Sequence, residues 1–188
     1  MTLTDANGCQ QFIPVVSLFE PQSSLNTNDI SSANVSCHNA QDGQMIVEIT
    51  GGTAPYQYNW SAGQNRLSSA LSDTISNLGP NTYDVTVTDA NGCIHVSPSL
   101  TITQPTSVIL TLDDIVHNDC NNISAGQISI TPFGGQAPYT FHWSNGNPNE
   151  DQVNLTNGTY SVFAEDATGC ISATSIIEIE QPLSLIHI

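Results

Sequence analysis

Three segments of the chain close in the same way. Asp5-Ala6-Asn7-Gly8-Cys9, Asp89-Ala90-Asn91-Gly92-Cys93 and Asp166-Ala167-Thr168-Gly169-Cys170 are each followed by a proline twelve positions after the cysteine, at Pro21, Pro105 and Pro182. A motif recurring at fixed internal spacing marks an array of similar units. The match extends upstream. Cys37 and Gly43 keep the spacing of Cys120 and Gly126. Gly51-Gly52-Thr53-Ala54-Pro55-Tyr56 corresponds to Gly134-Gly135-Gln136-Ala137-Pro138-Tyr139, and Leu78 and Tyr83 correspond to Leu155 and Tyr160. Trp60 corresponds to Trp143, nine positions after the first glycine in each copy. From Cys37 and Cys120 onward the difference in length falls between Trp and Leu, where the first copy is six residues longer, as expected of a surface loop.

Successive closing prolines are 84 and 77 residues apart (Pro21 to Pro105, Pro105 to Pro182), the size of a small autonomous domain rather than a solenoid turn. The chain therefore reads as a slice of a longer array. Residues 1–21 are the tail of a preceding repeat, 22–105 a first full repeat, 106–182 a second, and 183–188 the start of a further repeat or an unrelated tail.

Period-2 alternation runs through both copies. Met45, Val47 and Ile49 share one face, as do Ile128 and Ile130. Tyr56, Tyr58 and Trp60 are matched by Tyr139, Phe141 and Trp143, and Tyr83, Val85 and Val87 form a third set. Ile94, Val96, Leu100 and Ile102 share a parity in the last strand, as do Ile171, Ala173, Ile177 and Ile179. Such alternation means one face buried and one wet. Short strands separated by Gly- and Asn-rich turns indicate an all-β sandwich or barrel of antiparallel strands. Residues 22–36 are polar and alternate poorly, which predicts a short or frayed opening strand.

Charge limits the partners. The chain has 17 acidic residues and a single cation among Lys and Arg, Arg66, for a formal charge of −16. It offers no cationic surface to nucleic acid or to an anionic bilayer. No apolar run is long enough to span a membrane. Asp89 and Asp166 precede tight Asn-Gly or Thr-Gly turns, where a carboxylate caps backbone N–H groups. The alternative is a calcium ligand, but calcium needs six to eight oxygens and each turn offers one or two carboxylates. No cofactor is expected, with calcium as the alternative.

The five cysteines are Cys9, Cys37, Cys93, Cys120 and Cys170. Counting the strands between them places both cysteines of a repeat at one end of it. This predicts bridges Cys37–Cys93 and Cys120–Cys170, with Cys9 left over. Bridges of that length would add roughly 4 kcal/mol on the chain-entropy model. Five free buried thiols are the alternative, and a Cys93–Cys120 link would instead signal bridges between repeats.

The combined pattern resembles the SprB repeat of large secreted surface proteins of Bacteroidota, including a gliding-motility adhesin. It comprises Cys-x5-Gly, Gly-Gly-x-Ala-Pro-Tyr-x-Tyr/Phe-x-Trp, Leu-x4-Tyr-x-Val, Asp-Ala-Asn/Thr-Gly-Cys and a closing Gln-Pro. The resemblance implies tandem immunoglobulin-like or PKD-like sandwiches, export by the type IX secretion route and a place on the cell surface. It implies no catalytic residue. On this reading Trp60 and Trp143 are core residues, as in immunoglobulin-type sandwiches, and Tyr83 and Tyr160 are tyrosine corners. An aromatic sugar platform is the functional alternative for the tryptophans. Asp73-Thr74-Ile75 resembles a Bacteroidota O-glycan acceptor, with Thr74 in the accessible insertion.

Three classes of function follow. One is a non-catalytic spacer between a cell and an adhesive tip. Another is an adhesive repeat, whose partners are glycans or external surfaces besides the neighbouring repeats. A carbohydrate-binding accessory module of a secreted enzyme is the alternative. Catalysis in the chain itself has no support: there is no nucleophile triad, no matched carboxylate pair and no phosphate-binding loop.

Overall fold

The computed structural model describes residues 2–12, 14, 23–120 and 124–182. Most of the segment leading to Pro21, and residues 183–188, lie outside the described residues. A hairpin of β1 (Thr2–Thr4) and β2 (Gln10–Phe12) comes first. The first repeat contains β3 (Asn26–Ala33), β4 (Gly43–Thr50), β5 (Tyr56–Trp60), β6 (Asn65–Ser68), β7 (Ser72–Leu78), β8 (Asn81–Tyr83), β9 (Val85–Thr88), β10 (Ile94–Val96) and β11 (Leu100–Ile102). The second contains β12 (Ile109–Val116), β13 (Gly126–Phe133), β14 (Thr140–Trp143), β15 (Gln152–Leu155), β16 (Gly158–Glu165) and β17 (Ser175–Ile179). The described residues include no helix.

The first repeat has sheets ordered β3-β4-β7 and β10-β9-β5-β6, with a β11-β8 ribbon. The second has β12-β13-β15 and β14-β16-β17. Pairing is antiparallel in β10-β9-β5-β6, β11-β8, β12-β13-β15 and β14-β16-β17, and each repeat is a two-sheet sandwich. Strand alternation explains the cores. Met45, Val47 and Ile49 are buried along β4, while Ile46, Glu48 and Thr50 face outward. In the second repeat Ile128, Ile130, Phe141, Trp143, Leu155, Val162, Ala164, Ile177 and Ile179 form one apolar cluster.

By proximity the chain groups into two compact units. One is Met1–Ile30 with Val47–Asp73 and Asp84–Pro98; the other is Ser31–Ile46 with Thr74–Tyr83 and Ser99–Ile188. This grouping does not coincide with the sequence repeats, because the Cys37 end of the first repeat belongs with the whole of the second.

Three expectations about strands need correction. The opening strand of the first repeat is neither short nor frayed: β3 has eight residues. Its residues are mostly exposed, so it joins the sheet through backbone ladder bonds and leaves little apolar pattern to read. The longer stretch between Trp60 and Leu78 is not a loop, since it contains β6 and β7. The last strand does not keep one parity. Ile94 and Val96 are exposed, as is Ile171, while Ile102, Ile177 and Ile179 are buried. A buried serine resets the phase each time. Ser97 N–H donates to Val85 O (2.9 Å) and its Oγ accepts the Val85 N–H (3.0 Å). Ser172 makes the same pair of bonds with Ala164, at 2.8 and 3.0 Å.

Candidate functional site

The Asp-Ala-Asn/Thr-Gly-Cys turn recurs three times with the same pair of backbone bonds to the aspartate Oδ1. Asp89 Oδ1 accepts the N–H groups of Asn91 (2.9 Å) and Cys93 (2.8 Å), and Oδ2 accepts that of Thr53 (2.9 Å). Asp166 Oδ1 accepts those of Thr168 (2.8 Å) and Cys170 (2.9 Å), and Oδ2 that of Gln136 (2.9 Å). Asp5 Oδ1 receives Asn7 and Cys9 N–H groups, each at 2.9 Å. Each turn glycine is left-handed, with Gly8, Gly92 and Gly169 at φ of 83°, 83° and 86°. Burial would raise the Asp166 pKa, but the Thr168 hydroxyl and the three backbone donors outweigh it and hold the carboxyl at about 2. For Asp89 burial again acts upward, and the donors again prevail and lower it. Both carboxylates thus have their oxygens engaged as turn caps. Among the described residues, no three His, Cys, Asp or Glu side chains gather as a metal site.

The same aspartates clamp the Gly-Gly turns. Gly51 and Gly134 are left-handed, with φ of 74° and 71°. A Cβ on either would stand 2.1 Å from a backbone carbonyl oxygen, of Ser24 or Ser107 respectively. The motif Gly-Gly-x-Ala-Pro-Tyr is therefore a backbone crossing, closed by Tyr56 and Tyr139, whose hydroxyls donate to Gly51 O and Gly134 O.

The cysteines differ from expectation. Cys37 is bonded to Cys170, with Cα atoms 5.5 Å apart, while Cys9, Cys93 and Cys120 are free and exposed. The Cys37–Cys93 and Cys120–Cys170 pairs are not formed. The second repeat shows why. Cys120 precedes the Gly126 end of β13, whereas Cys170 follows Asp166, which is bonded to Gln136 beyond the Phe133 end. An eight-residue strand spans roughly 27 Å, and a disulfide tolerates a Cα separation of at most about 7 Å. The strand count omitted the excursion after Trp, which is β6 in the first repeat and residues 144–151 in the second. One uncounted passage moves the next cysteine to the opposite end. The bridge therefore joins one repeat to the next, within the second compact unit.

The segment bearing Cys37 is fixed to the exit of its own repeat. Val35 N–H donates to Thr103 O (3.3 Å), Thr103 N–H to Asn34 Oδ1 (2.8 Å) and Asn39 N–H to Gln104 Oε1 (2.8 Å). His38 Nδ1 lies 3.3 Å from Pro105 O. A groove beside the bridge is lined by His38, Asn39, Ser107, Ile109 and Ile171.

Trp60 and Trp143 are buried, at 3 % and 6 % exposure. Trp60 Nε1–H donates to Asp73 Oδ2 (2.8 Å), and Arg66 Nη1 donates to Asp73 Oδ1 (3.1 Å). Sequence reasoning missed this pair; an Arg and an Asp seven apart in an insertion was the available signal. Tyr58 donates to Ala70 O (2.7 Å), and burial together with the nearby Asp73 charge pushes its pKa up to about 12. Tyr83 and Tyr160 donate to carbonyls four residues back, Gly79 O (3.1 Å) and Thr156 O (3.0 Å). Thr74, expected in an accessible loop, sits half-buried in β7 between buried Asp73 and Ile75.

No curated protein matches the chain in sequence. Among solved structures, a C-terminal 282-residue intimin fragment in complex with an intimin-binding domain is similar at TM-score 0.44 and 10% identity, covering 81% of this chain and 63% of that one. Three N-terminal domains of the bacteriophage RB49 outer capsid protein Hoc give 0.43 and 18%, covering 84% and 59%. The BSP domain of a biofilm-associated protein gives 0.30 and 16%, covering 84% and 30%. This chain thus spans less than two thirds of the length of each of these. The model of the SprB repeat matches the chain at two places, residues 30–65 and 113–148, the stretches that carry Cys37 to Trp60 and Cys120 to Trp143.

Proposed function

We propose that the chain is a non-catalytic extracellular segment of a cell-surface protein, and that its two repeats act as a spacer that carries tension. The observation that supports this most is the Cys37–Cys170 bridge, which joins successive repeats covalently. Disulfides persist in oxidising, extracellular compartments. A bridge across 133 residues removes denatured-chain entropy worth about 5 kcal/mol on the chain-entropy model, and it limits how far the segment lengthens under load. Asp89 and Asp166 serve as caps and need no calcium.

An adhesive role has one observation in its favour. The insertion exposes Leu67 and Leu71, at 72 % and 51 %, whereas the shorter stretch after Trp143 exposes Val153, at 55 %. A glycan array and a surface-adsorption assay on the intact chain separate the two readings. The spacer reading expects no saturable binding. Saturable binding that disappears in Leu67→Ser/Leu71→Ser would establish the adhesive one. Chelator should leave the melting curve unchanged.

A further inference from the structure

The bridge uses two positions that recur, and the structure repeats their surroundings where no bridge is formed. Cys120 occupies the position of Cys37. Asn118 N–H donates to Glu180 O (3.0 Å), as Val35 does to Thr103 O. Glu180 N–H donates to His117 Nδ1 (3.0 Å), as Thr103 does to Asn34 Oδ1. The Cys120 thiol lies 3.8 Å from Pro182 O, the carbonyl equivalent to that of Pro105 beside His38. The end that presents Cys37 is thus rebuilt around Cys120. The turn that presents Cys170 is likewise rebuilt around Cys93 and Cys9, with the same aspartate bonds. All three of these remaining thiols are exposed.

We propose that Cys120 and Cys93 are the two halves of a repeat-to-repeat docking site. Cys120 takes the Asp-x-x-Gly-Cys turn of a further copy of this repeat, and Cys93 takes the Cys37-type end of another. The occupant is thus a second copy of the repeat, joined end to end as Cys37 joins Cys170. Each bond links two Sγ atoms and releases two protons and two electrons. A low-molecular-weight disulfide accepts them and is reduced to two thiols. The site does not depend on whether the repeats act as spacer or adhesive.

The test is oxidation of the intact chain with oxidised glutathione at high protein concentration, followed by non-reducing peptide mapping of the covalent oligomers. The proposal expects nearly every intermolecular link to join Cys120 to Cys93 or Cys9, with Cys37–Cys170 intact. Random coupling of three equivalent thiols would put only about four links in nine in that class. That ratio, or frequent Cys93–Cys93 and Cys120–Cys120 links, would overturn it. Cys120→Ser should abolish the oligomers, and a variant that still forms them at the parent rate would equally contradict the proposal.

Discussion

Trp60 and Trp143 occupy the same place in the two repeats, but their indole N–H groups are satisfied by different chemistry. In the first repeat the acceptor is the buried carboxylate of Asp73, held by Arg66, the only lysine or arginine in the chain. In the second the acceptor is the Asn149 carbonyl (2.9 Å), and Gln152 beside it is fully buried. Gln152 donates to the same carbonyl (2.9 Å) and accepts from Asn145 Nδ2 (3.0 Å). The six-residue insertion supplies β6, and β6 supplies the cation. A longer connection lets the repeat bury a charge, whereas the shorter one must use backbone and amide groups. An ion pair is not intrinsically the better solution, since desolvation offsets much of its attraction. The framework tolerates either because the tryptophan needs one acceptor only.

The largest effect should come from what the repeats share. Gly51→Ala and Gly134→Ala each place a Cβ 2.1 Å from a carbonyl oxygen at positive φ. Each should cost about 3 kcal/mol or more, read from urea unfolding. A substantially smaller loss in one repeat would show that its turn can relax.

Next is the asymmetry itself. Asp73→Ala leaves the Trp60 N–H buried without an acceptor and should cost about 2 kcal/mol. Arg66→Ala should cost less, about 1 kcal/mol, because the Arg66 side chain is 56% exposed and screened by solvent. The two indole N–H signals provide the readout. Both variants should speed hydrogen exchange at Trp60 Nε1 and leave Trp143 Nε1 unchanged. Equal acceleration at both would refute independent solutions in the two repeats.

Acid should distinguish the turns. Folding lowers the Asp166 pKa from 3.8 to about 2. Its contribution is therefore complete above pH about 4 and fades as the pH falls through about 2. Asp166→Asn should lower stability at neutral pH and flatten that acid limb. The smallest effect concerns Thr168, whose hydroxyl donates to Asp166 Oδ1 (2.7 Å), a bond with no counterpart from Asn91 at Asp89. Thr168→Asn should raise the Asp166 pKa toward that of Asp89, measurable by carboxyl NMR titration.

Much of this was legible in the sequence. Alternation over residues 44–50, 55–60 and 83–88 located three core strands of the first repeat, because a half-buried strand writes its face into every second residue. The turn aspartates were legible as caps for local reasons. What failed was non-local. Cysteine pairing depends on counting every passage of the chain, and β6, with Asn65, Arg66, Leu67 and Ser68 largely exposed, carries no alternation to count. β3 reads as short or frayed for the same reason, its residues being mostly exposed. Ser97 and Ser172 reversed strand parity through a side-chain hydrogen bond that composition does not reveal. The Asp73–Arg66 pair depended on β6 and was lost with it.

The bridge between repeats is tested most directly by pulling the chain from its two ends in a single-molecule force experiment, with and without reductant. Cys37 and Cys170 are 133 residues apart in sequence, with Cα atoms 5.5 Å apart in the fold. At 3.3–3.6 Å per extended residue the enclosed segment stores roughly 450 Å of contour length. The account predicts that unfolding the oxidised chain releases only the length outside this segment, and that the further 450 Å or so appears on reduction. An oxidised chain that releases its full length, with no change on adding reductant, would contradict it.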